Sequence, residues 1–149
     1  MKYILTTILA TILLSCAGTK SPINTNGNGY MAEGYDVTEY FNNTSVPGLD
    51  VHTAMFEGAK YKFASAENKS EFEANPSKYQ PQYGGYCAYA VGADNKKIGI
   101  NPESFEIRDG KLYLFYDTVF ADTKKKWAEE GPERLQKQAD ENWKTLQSN

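Results

Sequence analysis

Cysteine and histidine are nearly missing from this 149-residue chain, which has two cysteines, Cys16 and Cys87, and one histidine, His52. That scarcity excludes a closed zinc site of the usual Cys and His types, because one chain cannot supply four such ligands. Also absent are Cys-x-x-Cys, Gly-x-Ser-x-Gly, His-Glu-x-x-His, a phosphate loop and a dinucleotide fingerprint, so a binding module fits the chain better than an enzyme. Positive charge is in short supply too. Lysine and arginine number 16 against 19 acidic residues, a net charge of −3, which argues against nucleic acid as a partner. Lys124-Lys125-Lys126 then reads as a solvated helix face. Finally, no apolar run is long enough to span hydrocarbon: Tyr3 to Leu14 gives about twelve residues where a spanning helix needs about 20.

That short run is instead a secretory signal in form, with Lys2 as a positive start and Leu13-Leu14-Ser15-Cys16 closing it. The tetrapeptide resembles a bacterial lipobox. The resemblance implies a lipoprotein signal peptide over residues 1–15 and lipidation of Cys16, which would hold the domain to membrane lipid without a spanning helix. Residues 16–29 are polar and small, the composition of a flexible tether after the lipidated cysteine, and the folded domain is expected over 30–149. About 120 residues suffice for one core and not for two. Localisation follows as the cell envelope, with the periplasmic side of the outer membrane favoured because Ala17, and not Asp, follows the cysteine.

Consumption of Cys16 leaves Cys87 as the one free thiol, in Pro81-Gln82-Tyr83-Gly84-Gly85-Tyr86-Cys87-Ala88. In an oxidising compartment an unpaired thiol is either packed and inert or kept for chemistry.

The patterning predicts a small α+β domain of short antiparallel hairpins packed with several short helices. Val37, Tyr40 and Phe41 share one helical face after Asp36, a candidate cap. Residues 51–57 and Lys60 to Phe63 alternate about Gly58-Ala59, which predicts a hairpin with Tyr61 and Phe63 on its buried face. Ser65 stands as an N-cap for a helix ending at Asn75-Pro76. Tyr79 to Tyr83 is expected to be extended, Gly84-Gly85 to turn, and Tyr86 to Val91 to form a short helix or a buried strand, with Cys87 in its first turn. Asp109-Gly110 between alternating runs predicts a second hairpin. Helices over about Asp122 to Glu130 and beyond Pro132 close the chain, the second with Leu135, Ala139, Trp143 and Leu146 on one stripe.

Several of these segments together resemble the lipoprotein branch of the YHS-domain family: Gly34-Tyr35-Asp36-Val37 with Tyr40-Phe41, Gly58-x-x-Tyr61-x-Phe63-Ala64-Ser65, Asn75-Pro76-x-Lys78-Tyr79-x-Pro81-Gln82-Tyr83-Gly84-Gly85-Tyr86-Cys87, Asp109-Gly110-Lys111-Leu112-Tyr113-Leu114, and Ala139-Asp140-x-Asn142-Trp143. The resemblance covers nearly all of residues 34–143. It implies a YHS-like α+β fold and a link to transition metals, copper among them. Metal-linked relatives carry paired cysteines near the Tyr-x-Phe segment, where this chain has Ala64 and Asn68-Lys69. Close relatives sometimes write the Gly-Gly-Tyr-Cys cysteine as selenocysteine, which implies redox or soft-metal chemistry at Cys87.

Three readings of Cys87 remain open. In the first it anchors a soft metal ion, copper favoured, with His52 as second ligand and Met55 or Met31 as a third. On a regular strand Met55 faces away from His52, so a bulge is needed to bring them together. In the second Cys87 is a redox thiol, its thiolate favoured by helix-start amides and resolved by an external thiol. In the third the domain is a non-catalytic envelope module that binds a protein partner, and Cys87 is a small packed side chain. Tyr83 and Tyr86, with Asp36 and Met55, are candidates to line a polar pocket beside the thiol, since buried tyrosine hydroxyls need partners.

Overall fold

A computed structural model describes residues 20–149. The signal peptide, Cys16 and Ala17 lie outside the described residues. The described part is a small α+β domain. Its strands are β1 (Leu49–Phe56), β2 (Ala59–Phe63), β3 (Asn101–Arg108), β4 (Lys111–Phe115), β5 (Asp117–Thr118) and β6 (Ala121–Asp122), and its helices α1 (Ala66–Ala74), α2 (Pro76–Tyr79), α3 (Ala88–Asp94), α4 (Thr123–Glu130) and α5 (Pro132–Leu146). The strands pair as three antiparallel hairpins, β1 with β2, β3 with β4 and β5 with β6.

Strand β4 divides the interior. Side chains alternate across a strand, and Leu112-Tyr113-Leu114-Phe115 is at most 1% exposed at every position, so both of its faces are covered. Leu112 and Leu114 join one apolar cluster with Met31, Val37, Tyr40, Tyr61, Phe63 and Phe72. Tyr113 and Phe115 join the other, where Val91, Trp127, Leu135 and Ala139 bring α3, α4 and α5 together. Residues 20–149 thus carry their own core.

Local chemistry accounts for the boundaries. Ser65 caps α1 by accepting from the Asn68 amide, and Asp122 caps α4 by accepting from that of Lys125. Asp109-Gly110 turns β3 into β4 as its sequence requires, with φ of 50° and 72°. The first hairpin turns one residue earlier than the alternation suggests. Its corner is Glu57-Gly58, with φ of 46° and 83°, and Ala59 is already a buried strand residue paired with Phe56. Val37 and Tyr40 are buried as expected, although the helix there is a single 3-10 turn, Glu39–Asn42.

Residues 20–29, read from composition as tether, lie on the domain. The Asn24 amide donates to Gly84 O at 2.8 Å, its side-chain Nδ2 to Gly85 O at 3.0 Å, and Lys20 Nζ to Lys97 O at 2.8 Å. Polar composition concealed this because the segment docks through its backbone and the polar side chains of Lys20 and Asn24, with Ile23 as its partly buried apolar contact.

Candidate functional site

Two features of the Pro81 to Cys87 run define the region of interest: a glycine turn that receives the N-terminal segment, and the thiol beyond it. Tyr83, Gly84 and Gly85 have φ of 54°, 60° and 82°, three successive residues in the left-handed region. A Cβ on Gly84 would stand 2.0 Å from Pro22 O, and one on Gly85 2.5 Å from Met31 Sδ, so the glycine pair admits close backbone approach as well as the turn.

Cys87 follows as the N-cap residue of α3, a position that gives its side chain no capping hydrogen bond. Its amide donates to Ile98 O, its backbone bridges to Leu114 on β4, and it is 0% exposed. Sγ lies 3.4 Å from Thr123 Oγ1, and that hydroxyl donates to Tyr116 O. A threonine hydroxyl has one proton. With that proton on a carbonyl, Oγ1 is left to accept, so the Cys87 S–H donates. The thiol is a closed link between α3, β4 and the first turn of α4.

The other residues singled out from sequence do not gather around it. His52 is half-buried within the irregular stretch of β1, where Leu49 pairs with Phe63 and Thr53 with Lys62, leaving Asp50, Val51 and His52 bulged. The bulge needed for a His52–Met55 pair is therefore present, yet Met55 is 65% exposed on the outer side of the hairpin. Met31 is 0% exposed and packs its sulfur on Gly85. Among the described residues no group of three or more His, Cys, Asp or Glu side chains stands where it could hold a metal ion. A soft-metal site at Cys87 would need further ligands beside the sulfur, and among the described residues no such group of His, Cys, Asp or Glu stands together while the sulfur itself is fully buried, so the donor set present does not fit the ion.

Asp36 is buried at 0% exposure but neither caps a helix nor faces the thiol's hydrogen-bond chain. Oδ1 accepts from the Thr38 amide and hydroxyl, and Oδ2 from the Ala64 amide and Asn68 Nδ2. Four donors on one carboxylate satisfy it without a counter-charge and tie the 3-10 turn to the end of β2 and the start of α1. Asn68 is thus a bridge between Asp36 and Glu39.

The tyrosine hydroxyls diverge instead of converging. Tyr83 donates to Asp140, Tyr86 to Ser21 O, Tyr79 to Glu71 and Tyr89 to Glu130. Burial first, and then the Asp140 carboxylate, push the Tyr83 hydroxyl far above its ordinary 10.0. Burial likewise raises Tyr86. Of the expected pocket, only Tyr83 lines an open cleft, a space of about 450 Å³ that also touches Glu57, Gln80, Asp140 and Trp143. Two of the quoted motif segments, Pro81 to Gly84 and Asp140 to Trp143, form much of this cleft, but nothing in the sequence joined them to each other or to Ile23 and Glu57, because its walls come from four separate stretches of chain. The β5–β6 tip was equally unmarked: Val119 and Phe120 are 92% and 96% exposed.

No helix among the described residues is long and apolar enough to cross a membrane. The chain matches no protein-family model, no curated protein and no solved structure.

Proposed function

We propose that this chain is a non-catalytic binding module of the cell envelope, a YHS-type domain anchored through Cys16, in which Cys87 is a structural thiol. The observation that carries the reading is the enclosure of Cys87: fully buried, with its S–H donated to a threonine whose own proton is already committed. A redox thiol or a soft-metal ligand must be reached by its reactant, and nothing reaches this sulfur without opening the contact between α3 and α4.

The docking of residues 20–29 bears on how such a domain would sit. With Lys20 fixed to the domain, three residues stand between it and Cys16, four steps along the chain with a reach of at most about 14 Å. An anchored domain would be held against the bilayer surface and not swing on a long leash. Exposed apolar side chains support a partner-binding role, Val119 and Phe120 at the β5–β6 tip together with Val51 and Met55 on β1.

The test is competitive titration of the reduced protein with Cu(I), beside peroxide oxidation, in the parent chain and in Cys87→Ser. Equal copper uptake by both proteins, with slow oxidation of the parent, is the expected result. Tight one-to-one binding lost in the variant would establish the metal reading in its place.

A further inference from the structure

The cleft beside the glycine turn has the make-up of a ligand seat, and its chemistry restricts what it takes. Its apolar wall is formed by Ile23, Pro81 and the Trp143 ring, whose centroid is 6.2 Å from those of both Tyr83 and Tyr86 and 6.0 Å from Lys97 Nζ, a residue that does not line the cleft. Glu57 and Asp140 supply the charge at its rim, and no lysine or arginine lines it. The hydrogen bonds already made there leave both carboxylates with room to accept. Tyr83 spends its proton on Asp140 Oδ1, and Gln80 Nε2 donates to Glu57 Oε2, so one oxygen of each carboxylate stays free. An anionic ligand would meet two like charges with no lysine or arginine in the lining to offset them. A ligand that brings its own donors and a positive charge on an apolar body satisfies both the carboxylates and the aromatic wall. At about 450 Å³ the space suits a small organic molecule and not a bare ion.

We infer that this cleft binds a small organic cation, a protonated amine carried on an apolar group, between the Glu57 and Asp140 carboxylates and the Trp143 ring. The inference rests on the reading of the domain as a binding module and names the class of ligand. It is independent of the anchor and of the thiol, which are read out at Cys16 and Cys87, so its failure would leave the metal and oxidation titrations to decide those.

The experiment uses three probes of one size and different charge: 2-phenylethylamine, 2-phenylethanol and phenylacetate. Each is titrated into the chain from residue 16 onward bearing Cys16→Ser, which retains the whole described core. Tryptophan fluorescence reports binding, because Trp143 lines the cleft while Trp127 is 0% exposed in the interior. The amine is expected to saturate, the alcohol to bind at least tenfold more weakly, and phenylacetate not to bind. Asp140→Asn and Glu57→Gln, both at exposed positions, should each weaken the amine roughly fivefold and narrow its margin over the alcohol. Trp143→Phe should remove the fluorescence change and, read by calorimetry, weaken all binding. Equal affinity for amine and alcohol, unchanged amine affinity in both carboxylate variants, or no saturation of the parent by about 10 mM amine would each overturn the inference.

Discussion

Replacing Gly84 by alanine tests whether the N-terminal segment is part of the domain. Three costs add. Alanine at the φ of 60° observed there loses about 1 kcal/mol relative to glycine. Its Cβ would lie 2.0 Å from Pro22 O, a backbone atom that cannot swing aside as a long side chain can, so residues 22–24 must lift off the turn. Lifting them breaks the bond from the Asn24 amide to Gly84 O and that from Asn24 Nδ2 to Gly85 O, each worth about 1 kcal/mol. The total is roughly 3 kcal/mol before any loss of Ile23 packing. Urea unfolding followed by circular dichroism reads the stability, and trypsin cleavage after Lys20 reads the segment. Gly27→Ala is the control, because nothing lies within 4 Å of a Cβ there. Stability within about 0.5 kcal/mol of the parent, with no faster cleavage at Lys20, would refute the docking of residues 20–24.

Three further outcomes follow from buried polar groups. Asp36→Asn places an amide NH₂ against donors on one side of the Asp36 site and should cost about 3 kcal/mol in urea unfolding, with under 1 kcal/mol contradicting the four-donor arrangement. Tyr61→Phe removes a buried hydroxyl that has no hydrogen-bond partner and should leave the protein as stable or up to about 1 kcal/mol more stable; a loss above that range would mean the hydroxyl is satisfied in solution. Burial raises Tyr40, Tyr61 and Tyr83 above 10.0, so the unfolded chain releases these protons first. Their contribution is intact below about pH 10 and is lost as pH rises toward the folded values, so ultraviolet titration should show these three ionising only with unfolding, while early, fully reversible ionisation of every tyrosine would contradict their burial.

Much of the fold was legible because its signals are local. Ser65 and Asp122 are side chains that cap by themselves, Asp109-Gly110 is a turn in two residues, and the Leu135, Ala139, Trp143 stripe needs only helical periodicity. The β4 run reads as a strand, but its place between two clusters depends on which elements cover each face, which no local pattern encodes. The same limit governed the site. Cys87 was visible as a free thiol, yet its enclosure is set by Thr123, 36 residues away, and the cleft by Glu57, Tyr83 and Asp140 brought together by the fold. Asp36 was visible as a motif residue, and its role emerged only with Ala64 and Asn68 on the other side of the first hairpin. The glycine pair was read as a turn, while the tightness of its packing against Pro22 and Met31 is a property of tertiary contact.

The structural role of Cys87 is tested most directly by iodoacetamide labelling across a urea series, in a chain bearing Cys16→Ser so that one thiol is counted. A thiol that is 0% exposed and hydrogen-bonded to Thr123 should label only through unfolding, at a rate that climbs with urea in step with the unfolding equilibrium. Labelling of the native protein at the rate of a free thiol, insensitive to urea below the transition, would contradict the account and return Cys87 to the reactive or metal-binding readings.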